Sequence, residues 1–255
     1  MRALTDTRLL FNRYGLQMVR NPVWVFVGMS TPLLYLVLFT PLLNSISSHS
    51  SGLSTSGRAI DGFLPGILAL LAFASGSGPG FNMIFELQQG VTERFRVTPA
   101  SRAAILLGPI LFGTASMFFF DILLVAVGAA FGFHIHLAGL LILAVLLGLL
   151  MTTTAAFSIS MAIATGDING FAAIINGMNL PVMLLAGVLL PISLGPTWLR
   201  VLAHFDPLYY LVEAARSLSA GNLATSATWQ AFAVLTPLAV LTVGWATNVF
   251  RRAVA

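Results

Sequence analysis

No lysine and no cysteine occur among the 255 residues, and charged residues make up only 8% of the chain. A soluble domain carries about a quarter of its residues as Asp, Glu, Lys and Arg, so this shortage of charge excludes an ordinary water-soluble protein. With 58% hydrophobic residues and a mean hydropathy of +0.94, the chain reads as a polytopic membrane protein. The missing lysine excludes a P-loop ATPase, whose Gly-rich loop needs a Lys beside its Ser or Thr to reach the terminal phosphates. The missing cysteine removes disulfides and thiolate metal sites, and leaves the redox compartment unread.

Long apolar runs dominate what is present. A hydrocarbon core of about 30 Å takes about 20 residues of helix, which places six spans at 24–43, 62–85, 104–131, 139–165, 171–190 and 229–250. The first run is too long for a signal-peptide core, and NSISSHS after it offers no small-residue cleavage site, so it is expected to stay as a mature helix. Ahead of it, residues 2–20 put Arg2, Asp6, Arg13, Gln17 and Arg20 on one side of a helix and Leu4, Leu10, Phe11, Tyr14 and Met18 on the other. That pattern predicts an amphipathic helix in the membrane interface, with a disordered basic leader as the alternative.

Six spans leave both termini on one side. That side holds nine of the twelve Arg residues, with Arg58, Arg200 and Arg216 opposite. The positive-inside rule therefore predicts cytoplasmic termini, explains the net charge of +4 as a topology signal, and argues against nucleic-acid binding. All four His then fall on the outer side. His134 and His136, two apart and without a nearby carboxylate, do not suggest a metal centre.

The chain is organised around ELQQGVTERFRVTPASR, residues 86–102, where charges crowd between two apolar runs. Glu86 sits where the second span meets the cytoplasm, Gly90 suits a helix end, and Thr98-Pro99 suits a helix start. Between them, Glu93, Arg94 and Arg96 offer charge to a partner and Phe95 an apolar knob; a merely solvated turn is the alternative. Within the second span, SGSGPG at 75–80 lacks both the lysine of a phosphate loop and the Gly-x-Ser-x-Gly spacing of a nucleophile elbow, so it predicts a kinked or flexible span.

Polar residues elsewhere are few. Asp121 interrupts FFFDILLV, and an uncompensated carboxylate at the bilayer centre costs at least about 2.5 kcal/mol. It reads as a proton relay or cationic-substrate contact, or else as a helix-packing or end-of-span residue. Asn176 and Asn179, three apart, share a helix face. The segment 191–228 is too apolar for a loop. Asp206 can cap a helix beginning at Pro207, Glu213 and Arg216 have ion-pair spacing, and Gly221 can stop the helix. With a short helix at 196–204, this predicts a re-entrant outer hairpin, with Tyr209 and Tyr210 at the interface, acting either as an outer gate or as an anchor.

GVTERFRVTPASR after a Glu-bearing span resembles the signature of type-2 ATP-binding-cassette (ABC) exporter permeases, in the branch similar to daunorubicin-resistance permeases. NGMNLPVMLLAGVLLPISLGPTWLRVLAHFDPLYYLVEAARSL, residues 176–218, resembles that family's fifth span and outer hairpin. Leu87, Gln88 and Gln89 depart from the more charged residues expected there. The resemblance implies a six-helix, all-α integral membrane subunit in a bacterial plasma membrane. It implies assembly with a second permease copy, identical or related, and with two ATPase subunits that hold ATP and Mg. Carried over by position, residues 2–20 and 91–97 touch the ATPase, and Asn176 and Asn179 lie near the subunit interface and translocation path. The implied cargo is an amphipathic drug, antibiotic or lipid-like molecule moved outward. Two other classes remain open: a proton-coupled transporter relying on Asp121, and an intramembrane enzyme, which the outer position of every His disfavours.

Overall fold

A computed structural model of the chain describes residues 15–16, 20, 22–49, 59–89, 102–134, 136–188, 192 and 195–253. The described elements are all helices: α1 (Pro22–His49), α2 (Ala59–Ser75), α3 (Gly78–Gln88), α4 (Arg102–Ala130), α5 (Leu137–Thr165), α6 (Ile168–Leu185), α7 (Thr197–Ala203), α8 (Pro207–Ser219) and α9 (Ser226–Ala253). Among the described residues, five stretches are long and apolar enough to cross a membrane: Ile60–Gln88, Gly108–Ala130, Leu137–Thr165, Ile168–Leu185 and Ser226–Arg252. A shorter apolar stretch, Phe26–Phe39, lies within α1. Most of the interfacial helix expected at 2–20 lies outside the described residues, as do 90–101 and with them Glu93, Arg94, Phe95 and Arg96.

Helix α5 is apolar on all sides and forms the hub, packing against α9, α3, α8, α2, α4 and α6. Its hydroxyls are satisfied locally. Thr152, Thr153 and Thr154 each donate to the carbonyl four residues back, at 2.7, 2.8 and 3.0 Å, which removes the cost of bare hydroxyls in an apolar core. A two-residue turn joins α5 to α6. Gly166 takes a left-handed φ of 61° to end one helix, and Asp167 caps the next by accepting from the Gly170 amide at 2.8 Å.

Several boundaries differ from the sequence expectation. Helix α1 continues to His49, because no Gly or Pro interrupts residues 42–49. The fifth span stops at Leu185, where Gly187 at φ 67° turns the chain out of helical geometry. The second apolar run, by contrast, breaks where SGSGPG predicted a kink: it is two helices, with Gly76 and Ser77 in a turn between α2 and α3.

Candidate functional site

Three regions carry the chemistry. Near the middle of the bundle, displaced toward the end holding Arg102, Arg251 and Arg252, the break between α2 and α3 is built into the packing, with Gly76 against Thr154. Interrupting a helix frees backbone carbonyls that lipid cannot satisfy. Buried Ser158 of α5 donates to the Gly76 carbonyl at 2.7 Å, and Ser77 Oγ donates to Ala74 at 2.7 Å. Any Cβ at Gly76 would overlap Thr154 Oγ1. Further along α3, a Cβ at Gly80 would sit 2.8 Å from the Ser158 carbonyl oxygen and 2.5 Å from the Phe171 ring. Phe81 meets Phe171 edge-on with ring centroids 4.8 Å apart. Helix α3 is thus seated tightly on α5 and the start of α6. Glu86, near its C-terminal end, is buried.

In the middle of the bundle, Asp121 lies two residues from the midpoint of Gly108–Ala130, about 3 Å along the helix axis. It shares a buried face of α4 with Met117 and Leu124. Gly128 lies against Leu64 and Gly113 against Pro79, which sets an antiparallel register with Asp121 level with Leu71. Only 6% of Asp121 is exposed, and neither carboxyl oxygen has a hydrogen-bond partner among the described residues. It is therefore deep in the span and packed inside the subunit, not at an end of the helix. Asn176 and Asn179 do the opposite. Both project from α6 among exposed Met178, Leu180 and Leu184, and neither amide is hydrogen-bonded among the described residues.

At the other end, α7 and α8 form an elbow. Asp206 caps α8, accepting from the Leu208 amide at 2.9 Å, and Pro207 opens the helix. The other carboxyl oxygen of Asp206 has no partner among the described residues. Burial pushes the Asp206 carboxyl up to about 6, against the opposing pull of the Leu208 amide. The rings of His204, Tyr209 and Tyr210 cluster at the elbow, with centroids 5.3 to 6.2 Å apart. The Tyr210 hydroxyl donates to the His204 carbonyl at 3.0 Å. Tyr209 is pushed above the usual phenol range by burial and then by the Glu213 charge.

Helix α8 is wedged among α2, α5 and α9, with Leu208, Leu211, Val212, Ala215 and Leu218 fully buried. Arg216 pins it there. Its guanidinium meets Glu213 at 3.2 Å, the pair expected from the i, i+3 spacing. It also donates to the Gly62 carbonyl at 3.2 Å and the Gly187 carbonyl at 2.6 Å. Those carbonyls belong to the first turn of α2 and the exit of α6. Burial lowers the Arg216 pKa and the Glu213 charge opposes that shift. Ser219 adds a 3.1 Å bond to the Asp61 carbonyl.

One expectation is corrected here. His134 does have a carboxylate beside it: Asp61, distant in sequence, accepts from the His134 amide at 3.1 Å and lies 3.2 Å from its Nδ1. The first turn of α2 approaches the α4–α5 turn only in the folded chain. Even so, no group of three or more His, Cys, Asp or Glu gathers as a metal site among the described residues. Sequence reasoning also missed Ser158 and the carbonyl acceptors of Arg216. A signal for the latter was present, because a buried Arg near a membrane demands several acceptors.

The Asp206 environment yields a pH prediction. Its folded value lies above the ordinary carboxyl range, so the folded chain holds this proton to higher pH than the unfolded chain. The stability linked to it is full below about pH 4 and is lost as pH rises through about 6. Melting temperature measured between pH 4 and 7 should fall across that window. Asp206→Asn, which keeps a capping oxygen, should flatten this part of the profile; an unchanged profile would exclude Asp206 as its source.

Comparison with known proteins adds a second line of observation. A family model described as ABC-2 type transporter matches residues 5–219. A putative transport permease, ycf38, from Cyanophora paradoxa is 29% identical over 212 residues, covering 82% of this chain and 72% of the relative. A protein of the same description from Pyropia yezoensis is 26% identical over 222 residues, covering 84% and 74%.

Proposed function

Because the chain belongs to the ABC-2 type transporter family, we propose that it is the permease half of an ABC exporter driven by separate ATPase subunits. The reading places six spans in a bacterial plasma membrane with both termini cytoplasmic. The daunorubicin-like branch, and with it a drug, antibiotic or lipid-like cargo moved outward, rests on the resemblance of residues 86–102 and 176–218.

The observation that best supports mechanical coupling is the seating of α3. A partner closing on the central loop would act through Glu93, Arg94, Phe95 and Arg96, and Glu86 would carry that motion into α3. Because α3 is separated from α2 at Gly76 and Ser77 and locked onto α5 and α6 at Gly80, the motion passes to the hub while α2 stays pinned at its far end by Arg216. ATP and Mg belong to two ATPase copies. A second permease copy is the natural partner for exposed Asn176 and Asn179, since amides facing hydrocarbon stay unsatisfied until another chain bonds them. The elbow residues Asp206, Tyr209, Tyr210, Glu213 and Arg216 form the outer gate.

Tagged protein purified from its host should co-elute with an ATPase. A Glu93→Ala, Phe95→Ala variant should lose either the ATPase or its coupling to dye efflux. Efflux that continues with no ATPase present would overturn the proposal.

A second reading, a proton-coupled transporter, is favoured by one observation, the buried carboxyl of Asp121 without a partner among the described residues. Asp121→Asn separates the two. In an ATP-driven permease the variant should transport normally, because the residue is packed inside the subunit, whereas a proton-coupled carrier should lose transport entirely.

A further inference from the structure

A cavity of about 430 Å³ opens sideways between the first turns of α5 and α9, walled by Leu141, Val145, Leu223, Thr228, Trp229 and Phe232. It lies at the end of the bundle opposite Arg102, Arg251 and Arg252. Its α5 wall runs from Leu141 to Val145, about 6 Å along the helix axis, beginning one turn below the start of the span at Leu137. Its lining offers almost nothing polar. Thr228 is buried, and its hydroxyl is engaged with Thr225 at 3.3 Å. No charged side chain lines it, so an occupant gains nothing there from hydrogen bonds or charge.

The cavity is continuous with the lipid-facing surface. Both helices that form it are long apolar membrane-crossing stretches, and the exposed residues around it and along α9 include Leu137, Val240 and Leu241. Trp229, 69% exposed, stands at its edge one turn into α9, where an indole suits the boundary between headgroup and chain. Cavities of this size hold small ligands, whose range is about 300–1,000 Å³. We infer that this groove holds one acyl chain of a bilayer phospholipid, which fills the space between α5 and α9 and packs against Trp229 and Phe232. The inference depends only on the chain being embedded in a membrane, and not on direction of transport, cargo or ATPase partner.

Full-length protein in phosphatidylcholine vesicles, doped with a phosphatidylcholine carrying a diazirine in the middle of one acyl chain, provides the test. After irradiation, adducts mapped by peptide mass spectrometry should concentrate on residues 141–145 and 223–232, above the level on Val240 and Leu241. Ala224→Phe, whose ring fills the groove, should remove the groove adducts and leave those at Val240 and Leu241; Val145→Phe fills it from the opposite wall should the first variant fail to fold. Equal labelling of groove and open α9 surface would reduce the groove to ordinary lipid annulus and overturn the proposal, as would labelling indifferent to both filled variants. The chain has no native cysteine, so Leu223→Cys reports cleanly on the competing occupant: a disulfide between two copies at this position would assign the groove to the second subunit.

Discussion

Arg216→Ala should lower stability by about 3 kcal/mol, since hydrogen bonds to a charged group contribute roughly 1.5–3 kcal/mol each and buried partners left behind keep their desolvation cost. The side chain is 17% exposed and serves three separate elements at once: the first turn of α2, the exit of α6 and its own helix α8. Removing it takes the guanidinium donor from the Gly187 carbonyl and the extra donor from the helical Gly62 carbonyl, and leaves Ser219 as the remaining polar tie of α8 to the start of α2. Two companion variants make the argument specific. Arg216→Lys should fall between wild type and Ala, because one ammonium cannot span acceptors placed for a planar fork. Glu213→Gln should cost far less, about 0.5 kcal/mol, as expected for an i, i+3 ion pair with a part-exposed carboxylate. Thermal melting of the detergent-purified protein checks the series. Equal, small losses for Arg216→Ala and Glu213→Gln would mean that the carbonyl contacts carry no weight.

Gly80→Ala should cost about 1–3 kcal/mol, the range for forcing extra volume into a packed core, and should also impair transport. The added methyl meets the Ser158 carbonyl, part of the α5 backbone, which cannot rotate away. Helix α3 must therefore lift from α5 and α6, and with it the connection to the central loop. Gly78→Ala is the matched control. It lies two residues earlier on the same helix with nothing within 4 Å of a built Cβ, so the exchange should be neutral or stabilising by a few tenths to about 1 kcal/mol. Melting temperature and efflux measured side by side decide it: Gly80→Ala behaving like Gly78→Ala would show that the close seating of α3 is not used.

How much of this was readable beforehand depends on the range of the interactions involved. The apolar runs, the kink at Gly76 and Ser77, the Asp206 cap and the Glu213–Arg216 pair arise within a few residues of one another, and each follows from hydropathy, turn chemistry or helical spacing. Asp121 was visible as a charge in an apolar run, but its depth and its packed setting, without a partner among the described residues, were not. The register of α4 against α2 depends on where Gly128 meets Leu64 and where Gly113 meets Pro79, a fit between surfaces that one strand of sequence does not express. The same holds for Asp61 and His134, 73 residues apart.

The amino-acid sequence by itself determined that this chain enters a membrane several times and where its arginines cluster along the chain, because transfer of side chains to lipid and the positive-inside bias act on local composition. Tertiary structure decided which of the rare polar groups meet. In an apolar medium a lone carbonyl, serine or guanidinium finds its partner wherever packing brings one. Ser158 thus serves a carbonyl 82 positions away, and Arg216 one 154 positions away.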